Sequence, residues 1–477
     1  MKHLMTILML AGVFAHLTSC SDDDYINAIP KKVSALAEVQ LPALASSMQQ
    51  EVPALVEELL GWQQFDNSGL DTDRPAIFFE TTDGTFGLCV KMDDADDFAR
   101  YAAEVLGTAM KKATRPVEWR NCQFALYSDK WLMGWSDDAL LVMGPIVAAQ
   151  QQAMQQQMAT LLKQDKEKSV RQSPLYESLL QLNDDGLGRV AMQAFALPDN
   201  IAALFTMGLP KQGDPRQVVL AFDMQQQATT LRLNGTITSR NATVEKGLKA
   251  AHAIMRRIDT QQPDRYDATA TAHMLFNVDG TQYLPFLRQN PAMQSLLTIA
   301  NAAIDLDNII RSIDGTCHLQ LGSDCTQAQR LLLTAPLKHA QWLSDVAYWM
   351  QSTPSGATLS ETTTADERGK GQRHFVLTTT KSDERGDRRQ TLCFGLYAPQ
   401  RLYIGTARPN DGKGKNRLAD HVAATDIRAL QQARLALLVN LKQMGRTEDK
   451  DAMATVAKMI KPISKSYTHL LYIYGDD

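Results

Sequence analysis

The sequence is poor in cysteine, in basic excess and in long apolar runs, and each shortage removes a class of function. Its six cysteines, Cys20, Cys89, Cys122, Cys317, Cys325 and Cys393, are spread over 477 residues. They form no CxxC pair for zinc or redox chemistry and are too sparse for a disulfide scaffold. The formal net charge of −4 leaves no basic surplus, so neither nucleic acid nor an anionic lipid surface is the expected partner. Beyond the first twenty residues no apolar stretch is long enough to span a bilayer. GxSxG, HExxH, a Walker loop and a strand-linked GxGxxG are all missing, and with them the usual linear signatures of hydrolases, zinc proteases and nucleotide enzymes. The nine histidines are scattered, and His318 alternates with Cys317 on a short strand, so those two side chains face opposite ways. Asp71-Thr72-Asp73 lacks the glycine and final glutamate of a calcium loop. Neither a metal, a cofactor nor a catalytic residue is expected.

What is present begins at the N-terminus. Lys2 precedes an apolar run from Leu4 to Leu17, then Thr18, Ser19 and Cys20. The run has the length of a signal-peptide core, and its end resembles a bacterial lipobox. That resemblance implies residues 1–19 as a lipoprotein signal peptide, with Cys20 acylated after cleavage. One acyl chain anchors marginally, at about 0.8 kcal/mol per buried methylene, whereas two or three hold a protein on a membrane. Ser21, Asp22, Asp23 and Asp24 follow. Consecutive like charges repel and extend, so residues 20–30 are expected to be an acidic tether. The run also resembles the surface-export signal of Bacteroidetes lipoproteins.

The continuation Asp24-Tyr25-Ile26-Asn27-Ala28-Ile29-Pro30-Lys31-Lys32, leading into the strand-like Val33–Gln40, resembles the start of an uncharacterised family of Bacteroidetes lipoproteins described only as a domain of unknown function. The resemblance implies a lipid-anchored body at the outer membrane, displayed at the cell surface, the alternative being a periplasm-facing anchor. It brings no activity.

Patterning of the body alternates between the two secondary-structure periods. Ala76–Thr81 and Phe86–Met92 flank the turn Thr82-Asp83-Gly84-Thr85, a strong hairpin signal. Asp93 and Asp94 suit a helix start, Pro53 should kink or split the helix that Pro42 opens, and Trp131 and Trp135 should share one strand face. The opening order of strand, helix, hairpin, helix and strand has the form of a split βαβ unit. A glutamine-rich helix from Val147 carries Met154, Met158, Leu161 and Leu162 on one stripe. Further on, Pro291–Ile313 reads as one long helical region and Gln390–Gly405 as one long strand. Four times a strand of small and apolar residues runs into a helix: Val33–Gln40, Gly188–Leu197, Ala268–Asn277 and Ala433–Asn440. The predicted fold is α+β, with repeated strand–helix–hairpin units forming antiparallel sheets and helices packed on one face. The polar stretch 163–174 divides an N-terminal α+β domain, 31–165, from a C-terminal α+β region, 175–477.

Paired acids at Asp93/Asp94, Asp96/Asp97, Asp137/Asp138 and Asp184/Asp185 fall on turns and helix starts, where local capping explains them. Arg385-Gly386-Asp387 falls at a charged hairpin tip. Gly322-Ser323 could turn the chain between Cys317 and Cys325, the one plausible disulfide, while Cys89, Cys122 and Cys393 sit in apolar strands as buried thiols. The functional expectation is a non-catalytic surface-binding or envelope-assembly protein, with the membrane as partner through its lipid and an envelope protein or glycan as ligand. The alternative is an envelope hydrolase whose site is assembled from distant loops.

Overall fold

The computed structural model describes residues 23–475 apart from 129, 198–201, 203–204, 324–328, 366–370, 384–385, 407, 410–415, 445–460 and 462. The chain forms two compact units. The first comprises Met1–Pro198, Pro215–Thr238 and Glu448–Thr468, and the second Asp199–Asp214, Ser239–Thr447 and His469–Asp477.

The strands of the first unit are β1 (Val33–Val39), β2 (Ala76–Thr81), β3 (Phe86–Lys91), β4 (Val117–Trp119), β5 (Cys122–Tyr127), β6 (Trp131–Trp135), β7 (Ala139–Gly144), β8 (Gly188–Gln193), β9 (Val219–Gln227) and β10 (Thr230–Thr238). They pair antiparallel in the order β10-β9-β8-β1-β2-β3-β7-β6-β5-β4. The α+β class and the antiparallel sheet follow expectation. A split βαβ unit does not form, because β1 pairs directly with β2 and no strand is inserted between them. Nor does the chain divide at residues 163–174: β8 lies beyond that stretch yet pairs with β1 and completes the first unit's sheet.

Every residue of β1 is buried, so its neighbours must cover both faces. On one side Trp62, Phe65, Phe98, Tyr101 and Leu106 pack with Trp135 and Leu140, and the Phe98 ring meets Trp135 edge-on at 4.9 Å. On the other, Phe124 and Met158, the latter from the helix Gln151–Leu161, close over Gly134. A side chain at Gly134 would begin 2.6 Å from the Phe124 ring. Helical cover thus reaches both faces of the sheet. Pro53 does split its helix, giving Leu41–Ser47 and Val52–Leu60, and Asp94 caps the helix beginning at Ala95 by accepting from the Asp97 N–H at 2.9 Å.

The expected tether is shorter than residues 20–30. Asp24–Ala28 form a 3₁₀ turn with Tyr25, Ile26 and Ala28 buried, and Ile29 is fully buried. The Tyr25 hydroxyl donates to the Pro75 carbonyl at 2.8 Å, and Gln164 Nε2 donates to that of Ile29 at 3.0 Å. Apolar side chains at 25, 26 and 29 gain more by burial, ~1.5–3 kcal/mol for each large one, than the acidic run gains by extension. Residues 24–30 therefore belong to the body.

The second unit contains β11 (Ala272–Asp279), β12 (Asp314–Ser323), β13 (Gln329–Pro336), β14 (Ala357–Ala365), β15 (Gly371–Asp383), β16 (Gly386–Ala398), β17 (Arg401–Gly405), β18 (Leu435–Asn440) and β19 (His469–Tyr474). Their antiparallel order is β19-β18-β11-β12-β13-β17-β16-β15-β14. Set beside β9-β8-β1-β2-β3-β7-β6-β5-β4, it is the same topology. The fold is built twice in one chain. The four strand-to-helix starts of the sequence are the equivalent pairs β1/β11 and β8/β18. The expected single strand Gln390–Gly405 is instead a hairpin, β16–β17, turned at Gln400, whose φ is 55°.

Candidate functional site

In the second unit the connection from β11 to β12 is helical: Gly280–Gln289, Pro291–Asn301 and Leu306–Arg311. The sequence pattern reads the last two as one helix. The break between them comes from Asp305, whose carboxylate accepts from the Asn308 N–H at 3.0 Å and caps a new helix. At this break a cavity of about 790 Å³ opens. Its far wall is the helix Val346–Ser352. Trp349 fixes that helix by stacking on buried Trp342, with ring centroids 6.5 Å apart and planes 3° apart. Its neighbour Tyr348 is left 70% exposed.

The polar groups of the groove hold one another. Buried Asp307 accepts from Asn301 Nδ2 at 3.0 Å through one oxygen and pairs with Arg288 through the other. The Asp307 N–H returns a bond to Asn301 Oδ1 at 3.1 Å. Thr298 donates to the Gln294 carbonyl at 2.8 Å and Ser352 to that of Tyr348 at 2.9 Å, which leaves hydroxyl lone pairs to accept. The wall is thus a neutralised guanidinium–carboxylate pair, carboxamides, hydroxyls and one open phenol ring. Its residues at 294, 298 and 301 share one helix face.

A second polar cluster lies inside the same unit. Residues 256–271 run over the sheet as a strap held by side-chain-to-backbone bonds as well as by the packing of Ile258 and Tyr266 into the unit's apolar core. Asn277 Nδ2 donates to the Arg257 carbonyl at 2.6 Å, Thr316 accepts from the Asp259 N–H at 2.8 Å, and Gln320 both accepts from the Asp267 N–H and donates to the Arg265 carbonyl at 2.8 Å. Between these, buried His273 and His318 meet with Nδ1 and Nε2 3.1 Å apart. Tyr266 on the strap stacks on His273 at 4.2 Å and on His421 at 5.0 Å. Whichever tautomer the pair adopts, His273 Nε2 and His318 Nδ1 stay buried without a partner among the described residues. Burial holds His318 down to about 3 and, with the neighbouring charge of His318, holds His273 well below the ordinary range.

The lone signal for this cluster was a histidine inside each of two apolar strands. Strand pairing, which spacing along the chain does not reveal, brings them together. No group of three metal-ligating side chains occurs among the described residues.

Of the residues singled out by sequence, Cys20, Ser21, Asp22, Cys325 and Arg385 lie outside the described residues. Asp23 pairs with Arg171 at 4.0 Å, and Asp24 opens the packed 3₁₀ turn. Cys317 is a free, buried thiol on β12, and that strand continues through Gly322 and Ser323, which pair with Arg330 and Gln329, so the turn expected to bring Cys317 to Cys325 does not form. Cys89, Cys122 and Cys393 are buried in strands, and burial raises each thiol. Trp131 and Trp135 do share a face and pack into the first unit's core.

A family model described as "Domain of unknown function (DUF4836)" matches residues 40–381, most of the chain. The chain belongs to the DUF4836 family. Searches of the curated proteins and of the solved structures found no match. All of the groove and three members of the strap cluster, Tyr266, His273 and His318, fall within the DUF4836 match; His421 lies beyond it.

Proposed function

We propose that this chain is a non-catalytic binding protein, lipid-anchored through Cys20 at the outer membrane of a Bacteroidetes cell and displayed at its surface. Its ligand is a neutral glycan taken by the groove of the second unit. The observation that carries the reading is the groove's chemistry. Tyr348 offers an open ring face, on which the C–H face of a sugar stacks. Gln294, Thr298, Asn301 and Ser352 offer donors and acceptors for hydroxyl groups. Arg288 is already neutralised by Asp307, and Asp305 adds a negative charge, so an anionic ligand gains little. Both Asp307 oxygens are engaged, which suits a rigid wall better than a general acid. The anchor rests on the signal-like run and the small residues before Cys20.

The test is retention of the full-length protein, solubilised in mild detergent, on immobilised starch, xylan, mannan, chitin and peptidoglycan. The wild type should be retained by at least one. Tyr348→Ala should weaken that binding about tenfold, the equivalent of ~1.4 kcal/mol and the scale of one lost aromatic stacking contact. Failure to bind any of them, or turnover of one by the purified protein, would overturn the reading. Labelled palmitate should enter the wild type and not Cys20→Ala; label in the variant would remove the anchor.

A further inference from the structure

The duplicated topology allows the two copies of one edge strand to be compared. In the first unit the edge is β4, three residues long. Its upstream continuation pairs Ala113 with Tyr127, whereas β4 pairs Val117 with Phe124. The register slips by one residue around Arg115-Pro116, and Arg120 follows with its guanidinium 4.3 Å over Trp119. Shortness, proline, a bulge and flanking charge are the devices that blunt an edge against further pairing.

The equivalent edge of the second unit is nine residues long and lacks the proline and the bulge, although charged residues follow it at Asp366, Glu367 and Arg368. β14 reads ATLSETTTA and pairs with β15 in unbroken register from Ala357↔Thr379 to Ala365↔Gly371. It contains no proline and no lysine, and nothing pairs with its outer side among the described residues. Thr358, Ser360 and Thr362 form an exposed polar row on one face, with the Thr362 hydroxyl accepting from Arg408 Nη2. Its single charge, Glu361, is neutralised within the unit by Arg373, whose Nε and Nη2 donate to the two carboxylate oxygens.

We infer that β14 is a pairing edge for a second copy of this chain, joined antiparallel about a two-fold axis. A strand next to a two-fold axis faces itself, so it must carry no net charge and must tolerate its own side chains opposite. β14 meets both conditions: its charge is cancelled locally, and Thr–Thr and Thr–Ser neighbours are favourable across antiparallel strands. A partner strand of other chemistry would be matched by a charged or strongly apolar edge row, which β14 does not present.

The experiment is sedimentation of the detergent-solubilised full chain over a concentration series, with the detergent contribution matched out. The wild type should reach the mass of a dimer. Thr358→Lys with Ser360→Lys places like charges on the row that faces its own copy across the axis and should weaken the dimer at least tenfold, and the Glu pair at the same positions should do the same. An equimolar mixture of the Lys and Glu proteins should recover to within about threefold of wild type. Far-UV circular dichroism and the Tm of each variant should match wild type, since the substituted side chains are exposed. A wild type that stays monomeric throughout, a dimer indifferent to both charge pairs, or a mixture that fails to recover would overturn the inference.

Discussion

Acidification should loosen the strap over residues 256–271, because its underside rests on two imidazoles that must remain neutral. His318 is held at about 3 from an ordinary 6.5 by burial. A histidine whose folded value is depressed contributes its full share above the unfolded value and loses it as pH falls. Linkage over that interval gives a loss of about 2 kcal/mol between pH 7.5 and pH 5 from His318 alone, and His273 shifts in the same direction. His421 and His469 also bear on His273, so protons taken up there oppose its charging further. Asp426 pulls His469 the other way, but acts on His469 rather than on the buried pair. Hydrogen exchange read by mass spectrometry measures the effect where it is expected. The amides of Asp259, Tyr266, Asp267 and Thr271, each bonded to a side chain or carbonyl outside the strap, should lose roughly thirtyfold of their protection at pH 5, after correction for intrinsic exchange. In the double variant His273→Gln with His318→Gln, in which neither site can titrate, that loss should shrink to a few-fold. Equal losses in wild type and variant would show that the pair does not control the strap.

Three further outcomes follow from the packing. Glu38 and Arg189 lie opposite each other on β1 and β8, and Arg189 Nη2 donates to the two carboxylate oxygens at 2.9 and 2.8 Å. Arg189→Met leaves that buried acid alone and should cost about 3–5 kcal/mol in urea unfolding, whereas Glu38→Gln with Arg189→Met should recover most of it. Glycine to alanine inside a helix ordinarily stabilises by ~1 kcal/mol, but at Gly247 the new carbon would sit 2.1 Å from the Gly208 carbonyl oxygen. Gly247→Ala should therefore lower Tm, and a rise would show that the approach is not tight. Mass mapping under non-reducing conditions should find Cys89, Cys122, Cys317 and Cys393 all unbridged; a bridge to Cys89 would contradict its burial.

The sequence disclosed strands better than it disclosed their neighbours. Ala76–Thr81 and Phe86–Lys91 were legible because Asp83-Gly84 sets a local turn between alternating runs. Local chemistry likewise marked the Asp94 cap and the break at Pro53. The four strand-to-helix starts were visible as a recurrence, yet their meaning lay in which strand pairs with which, a matter of contacts far apart in the chain. The groove was missed for a smaller reason. Apolar periodicity continues from Pro291 to Ile313, and it hid Asp305, an ordinary capping residue whose helix start makes the opening. His273 and His318 were individually unremarkable, since two adjacent strands had to align before they became a pair.

The early burial of Tyr25 has a mechanical consequence. On the proposed lipidation of Cys20, the described body already begins at Asp23, which Arg171 holds. Three residues of extended chain reach at most about 11 Å. The first unit would then ride low on the headgroups as a float on a short leash, with little freedom to tumble and almost none to reach outward. Such a protein waits for what arrives at the membrane. Lengthening the leash with a flexible insert after Ser21 would change the height at which it works while leaving every fold contact described above in place.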